Sequence, residues 1–304
     1  MTKLYLITGF LGAGKTTFLR KFVRLFPEKK IALIINEFGA NGVDGALLQD
    51  LGAAMREIDN GSIFCSCRAE QFEHAVTELL EASKPDLIFV EASGLADPSA
   101  VRSIFTQPIY EGMEYAGALC IVDAARFHKV YKTARVSRMQ LAVSDLVLVN
   151  KTDLASREQI DEILSIVKGQ KPDRPVFETT YGTFDPAWLQ AVEAPELCHE
   201  PVGVQARDIT LSRITLEPQG FDLVSLTAFL RMFAEDTYRI KGFVELDGVM
   251  YLADCVGPLV EVSPYEGKAE NVGKLTVLFG NGLPARKSIR EALTWYPDCS
   301  ANMI

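Results

Sequence analysis

Short apolar runs, each closed by polar or glycine-rich residues and followed by helical periodicity, recur along roughly the first two thirds of the chain. They are Leu4–Thr8, Ile31–Asn36, Met55–Ile58, Leu87–Glu91, Gly117–Asp123 and Leu146–Asn150, with Pro175–Glu178 as a seventh. The runs are nearly continuous rather than alternating, as in strands buried on both faces of a parallel sheet. Between them, Lys15–Phe26, Ala69–Ser83, Ser156–Lys168 and Asp185–Val192 read as helices. In Ala69–Ser83, Phe72, Val76, Leu79 and Leu80 fall on one face, which is core spacing. The alternation predicts an α/β domain over residues 1–193, with a doubly wound, mainly parallel sheet in three layers.

A Pro/Glu/Gly-containing stretch over residues 194–206 breaks this rhythm and reads as a linker. Beyond it, residues 207–304 predict a smaller α+β domain. Asp208–Leu216, Tyr238–Leu246, Val249–Cys255 and Lys274–Phe279 are strands of a mostly antiparallel sheet, and Asp222–Ala234 and Pro284–Leu293 are helices. Asp247-Gly248 is a strong hairpin signal.

The first strand runs into Gly9-Phe10-Leu11-Gly12-Ala13-Gly14-Lys15-Thr16, with Thr17 next and a helix beginning. Strand, Gly-rich loop and helix in this order form a phosphate cradle. Glycines let the N–H groups of Gly9, Gly12, Ala13 and Gly14 turn inward, and the helix N-terminus favours an anion. Lys15 would reach the β- and γ-phosphates, while the Thr16 hydroxyl would ligate Mg²⁺. Glu91, at the end of its strand, would hold the same ion, and Gly94 would offer its N–H to the γ-phosphate. Asn150-Lys151-Thr152-Asp153 closes a later strand. Asp153 can accept both guanine N1–H and the exocyclic amine, which adenine cannot supply. Lys151 would lie along the base, Asn150 would tie loops together, and Thr180 would lie near guanine O6. The nucleotide implied is GTP.

Composition narrows the partners. A net charge of −9 and a pI near 5.0 disfavour a nucleic-acid or anionic-membrane binder. No apolar stretch reaches the length of a membrane span, and the first residues carry no secretory pattern. A cytoplasmic location is expected. Six cysteines in a chain of 304 residues suggest metal or redox chemistry rather than a disulfide framework.

With these residues in hand, the chain resembles the CobW/HypB/UreG family of P-loop GTPases, in its CobW-like branch. The likeness lies in Gly9–Thr17, in Asn36-Glu37-Phe38-Gly39 with Val43-Asp44, in Glu91–Pro98 and in Asn150–Asp153. Arg239–Gly242 and Leu278–Leu283 are similar to the family's C-terminal domain more loosely. Glu37 would orient the attacking water or bind a transferred metal, and both roles stay open. The loop after the third strand departs from the family's Gly-Cys-x-Cys-Cys, reading Gly61-Ser62-Ile63-Phe64-Cys65-Ser66-Cys67. In an extended segment the Cα atoms of Cys65 and Cys67 lie about 6.6 Å apart on one side, so both sulfurs can reach one thiophilic divalent ion. Two thiolates under-fill a structural zinc site, which suits a carrier that releases its ion. His74, seven residues beyond Cys67, is a poor third ligand; Glu37 or another subunit serves better.

The resemblance implies a slow GTPase that couples GTP binding and hydrolysis to delivery of a metal or metallocofactor into a client metalloprotein, and it suggests a GTP-dependent homodimer. Two other readings remain: an activation factor for a corrinoid (cobalamin) enzyme or corrinoid protein, and a nucleotide-gated docking module without turnover.

Overall fold

A computed structural model of the chain describes residues 1–37, 53–59, 69–96, 98, 110, 112–192, 211–267, 269, 271–280 and 282–304. Two compact units divide it, Met1–Arg207 and Asp208–Ile304. The linker expected over residues 194–206 lies outside the described residues.

In the first unit, β1 (Thr2–Thr8), β2 (Ile31–Glu37), β3 (Ala54–Asp59), β4 (Leu87–Glu91), β5 (Met113–Asp123), β6 (Leu146–Asn150) and β7 (Val176–Glu178) form one sheet in the order β3-β2-β4-β1-β5-β6-β7. Every pairing is parallel. The expected strands are all present, with β5 starting at Met113 rather than Gly117. The helices are α1 (Lys15–Val23), α2 (Ala69–Ser83), α3 (Phe127–Thr133), α4 (Arg135–Val143) and α5 (Arg157–Gln170). On one face, Phe18, Leu19 and Phe22 of α1 meet Ile7, Phe89, Leu119 and Leu148. On the other, Phe72, Val76 and Leu79 of α2 meet Leu6, Ile34 and Val90. There too, Leu141 of α4 and Ile163 and Val167 of α5 cover Cys120, Val147 and Val149. Successive β6 residues thus serve opposite layers, which explains why its sequence is apolar without interruption. A fully buried Phe or Leu contributes about 1.5–3 kcal/mol, so this two-sided burial is the main stabilising term.

Two differences from the sequence pattern have local causes. Asp185–Val192 forms a 3-10 turn, Pro186–Ala191, rather than an α-helix. The Asp185 side chain caps it by accepting from Ala187 N at 2.9 Å, and Pro186 stands at its start, where no N–H is needed. The α3–α4 pair has no clear apolar stripe in the sequence, since α3 is only 7 residues long and α4 only 9.

The second unit holds β8 (Leu211–Gln219), α6 (Leu223–Phe233), β9 (Arg239–Leu246), β10 (Val249–Val256), β11 (Leu259–Pro264), β12 (Lys274–Gly280), α7 (Ala285–Leu293) and β13 (Ser300–Met303). Its sheet runs β11-β10-β9-β12-β8-β13 with antiparallel pairing throughout. Leu226, Phe229, Leu230 and Phe233 of α6, with Ile289 of α7, pack on Ile214, Ile240, Val244, Leu275 and Val277. Asp247 at φ 50° and Gly248 at φ 77° make the β9–β10 hairpin turn. The edge strands β11 and β13 escaped the pattern because little of their surface is buried. Among the described residues, no helix is long and apolar enough to cross a membrane.

Both long capped helices offer tests. Ser156 and Gln159 form a reciprocal capping box on α5, so Ser156→Ala should cost about 1 kcal/mol in urea unfolding. On α6, the Ser225 hydroxyl and N–H donate to Asp222 at 2.6 and 2.7 Å and hold its carboxyl below the ordinary 3.8. That contribution is complete above the unfolded value and is lost as pH falls through the lower folded one. Asp222→Asn should therefore flatten the acid limb of a stability-against-pH curve.

Candidate nucleotide site

The order of the sheet creates the site. From β1 the chain steps to β2 on one side, returns through β4, and then crosses to β5 on the other side. Such a reversal opens a crevice at the C-terminal strand ends beside β1, where ligands bind in open α/β sheets. The turn from Gly9 to Gly14 occupies that position.

Gly14 caps α1 at φ 98°, ψ 26°. A side chain is doubly excluded there, since a Cβ would lie 2.7 Å from Asn150 Nδ2. Lys15 is buried, its Nζ donating to the carbonyls of Gly9 at 3.0 Å and Phe10 at 3.5 Å. Ala13 is buried behind the loop, whereas Thr17 faces outward. The Thr16 hydroxyl donates to Glu91 Oε1 at 3.2 Å, joining residues 75 apart in the chain. Two hard oxygen donors meeting at a helix start and a strand end fit the demands of Mg²⁺.

The loop after β4 is drawn against this cradle. A Cβ on Gly94 would stand 2.7 Å from the Leu11 side chain and 2.8 Å from its backbone N. Ala92 N donates to Ile7 O at 2.9 Å, and Asn36 Oδ1 lies 3.5 Å from Ser93 N while its amide donates to Ile58 O. Gln140 reaches in from α4, Nε2 donating to the carbonyls of Gly94 and Ala96, each at 3.1 Å.

On the base side, Asn150 Nδ2 donates to Ala13 O at 2.9 Å and Asn150 Oδ1 accepts from Gly182 N at 3.0 Å. Lys151 stands at φ 61°, and its ammonium bridges Gly12 O and Asp123 Oδ2, both at 2.7 Å. The other Asp123 oxygen accepts from the N–H groups of Ala125 and Arg126. Asp153 is exposed in the turn Thr152–Leu154, and Thr179 O accepts from both donors of Thr152. Thr180 follows β7, half-buried beside these.

Lys15, Thr16, Glu91, Gly94, Asn150 and Lys151 are therefore contiguous. Sequence reasoning missed Asp123, Gln140 and the part of Asn36. An Asp ending a strand and a lone Gln on a short helix carry no motif, so only contact reveals them. Arg138 donates to Tyr131 O at 2.6 Å, within its own helix pair, as a structural arginine would. Cys65, Cys67 and the Glu37 side chain lie outside the described residues. Among those described, no group of three or more His, Cys, Asp or Glu is placed to hold a metal ion. His74 lies on the surface against Glu78, 3.8 Å away. Burial pushes the thiols of Cys120 and Cys255 up to about 12.

Residues 3–178 match the model of the CobW/HypB/UreG nucleotide-binding domain. The chain belongs to this family of P-loop GTPases. It is 33% identical over 263 residues to the zinc chaperone YjiA of Escherichia coli, covering 80% of this chain and 81% of that one. Against the zinc chaperone CobW of a Sinorhizobium species it is 36% identical, covering 95% of each. The zinc chaperone YeiR of Escherichia coli is 34% identical over 188 residues, 61% of this chain but only 57% of that protein. A Zn(II)-bound triple mutant of the YjiA GTPase shares the fold, with a TM-score of 0.50 and 22% identity over 97% of this chain and 98% of that one.

Asp123→Ala should release Lys151 from the P-loop and weaken guanine-nucleotide affinity about tenfold in calorimetric titration, as loss of a charged hydrogen bond implies. Cys120 and Cys255 should stay unlabelled by iodoacetamide at pH 8 until the protein is unfolded, because the thiolate is the reactive form.

Proposed function

We propose that this chain is a GTP-hydrolysing metallochaperone that couples GTP binding and hydrolysis to delivery of zinc into a client metalloprotein. The observation that carries the nucleotide half is the joining of base loop to phosphate loop: Asn150 and Lys151 donate to the carbonyls of Ala13 and Gly12. This linkage supports reading Asp153 as the base acceptor in register with phosphates held by Gly9–Thr16. Zinc as cargo is supported by family membership and by the zinc-chaperone relatives, which favour it over a corrinoid.

Asp153 would accept the two guanine donors, a pairing that can discriminate by about 10⁴-fold or more. Lys15 would draw the β- and γ-phosphates together, and the amides of Gly12, Ala13 and Gly14 would take the equatorial charge. Thr16 and Glu91 would hold Mg²⁺, which would supply neutralisation of the phosphate charge. Gly94 N–H would meet the γ-phosphate, and Glu37 is the candidate to orient the attacking water. Cys65, Cys67 and Glu37 are the candidate cargo ligands. A homodimer closed by GTP is consistent with an under-filled thiol site. Assembly of Lys15, Thr16 and Glu91 in one place favours turnover over a docking module.

Phosphate release measured with and without Zn(II) tests both halves. Wild-type protein should hydrolyse GTP well below about 1 s⁻¹, as switch GTPases do unaided, with a rate that responds to zinc. Asp153→Asn should lose GTP preference by at least ~100-fold. Cys65→Ser/Cys67→Ser should abolish the zinc response while leaving GTP binding intact. Zinc affinity and response unchanged in the double variant would sink the cargo assignment; no GTP turnover in the wild type would sink the switch.

A further inference from the structure

Gln140 belongs to none of the phosphate motifs, yet its side chain is committed to the loop that would sense the γ-phosphate. We propose that Gln140 is a positioning residue that holds Gly94 for the γ-phosphate, so that it sets the preference for GTP over GDP and supports hydrolysis without touching the nucleotide. The proposal rests on the GTPase reading above.

The geometry is specific. Gln140 is 1% exposed on α4, and its single Nε2 donates at 3.1 Å to both Gly94 O and Ala96 O. Two buried carbonyls converging on one point need two N–H bonds from one atom. A carboxamide supplies them without burying a charge, whereas Lys or Arg would bring one and Glu would offer lone pairs to lone pairs. Because both near partners are acceptors, the nitrogen must be the atom that faces them. Gln140 Oε1 then points away, with no donor among the described residues.

Gly94 is the residue most in need of such a hold. Glycine has the most backbone freedom to lose, and this one cannot be replaced because Leu11 of the P-loop crowds its Cβ position. Upstream, Ala92 N is tied to Ile7 O on β1. Downstream, Gln140 fixes the Gly94 and Ala96 carbonyls. Both sides of Gly94 are thereby pinned, and the residue itself abuts Leu11 of the P-loop. The side chain also borders a cavity of about 30 Å³ shared with Phe10, Leu11, Asp123 and Ser137.

The test uses the full chain and two near-isosteric variants, Gln140→Met and Gln140→Glu. Affinities for GDP and for a non-hydrolysable GTP analogue are measured by titration, with kcat, KM and thermal midpoint alongside. Loss of the hold should leave GDP affinity within about twofold and weaken the analogue about tenfold, equivalent to about 1.4 kcal/mol. Turnover should fall about 10- to 100-fold, more in Gln140→Glu, with KM for GTP raised less than kcat is lowered. Equal losses for GDP and analogue would reduce Gln140 to a structural part and overturn the proposal. So would unchanged affinities and turnover in both variants. If the variants do not fold, wild-type protein gives an independent readout. The Gln140 side-chain amide protons should exchange more slowly with analogue bound than with GDP, and equal exchange would overturn the idea. A wild type that binds no GTP would overturn the GTPase reading itself; GTP binding with indifferent variants overturns only the role of Gln140.

Discussion

A loop that cradles phosphate must turn its N–H groups inward, so its carbonyls are forced outward and need donors. The rest of the first unit is arranged around that constraint. Gly9 and Phe10 carbonyls take the Lys15 ammonium, Gly12 takes Lys151, Ala13 takes the Asn150 amide and Gly14 takes the N–H of Phe18. An unpaired buried carbonyl costs about 1–3 kcal/mol, so leaving them bare would favour another loop conformation. Lys15 and Lys151 are each held by such carbonyl partners, and Asp123 balances the second.

The same constraint couples distant parts of the chain. Asn150 donates to the P-loop with one atom and accepts from Gly182 with the other, so β6, β7 and α1 share one joint. Gly182 in turn approaches the Phe18 backbone so closely that a Cβ would stand 2.8 Å away. On the opposite flank, Thr16 meets Glu91, and Gly94 abuts Leu11. A change in what the loop holds therefore has short routes to β4, β6 and α4. A nucleotide switch needs such routes, since a ligand moves an equilibrium only by contacts that differ between states.

The second unit follows a different logic. Its antiparallel sheet is covered by α6 and α7 through one continuous apolar cluster. Its centre was readable from alternation and the Asp247-Gly248 turn. Its edges were not: β13 spans Ser300–Met303 and pairs with β8 through backbone hydrogen bonds that any side chain permits.

By itself, the chain's order of residues determined the parallel sheet, the glycine-rich loop and the Asn150–Asp153 quartet. Continuous apolar runs, glycine at left-handed positions and a carboxylate at fixed spacing are local demands, and local demands are written locally. Only the tertiary structure decided which groups support that chemistry. Asp123 matters because β5 ends beside Lys151, Asn36 because β2 ends near Ser93, and Gln140 because α4 delivers it to two carbonyls more than forty residues earlier. Their residue types are ordinary and their spacing follows no rule, since a hydrogen bond across a fold depends on proximity in space.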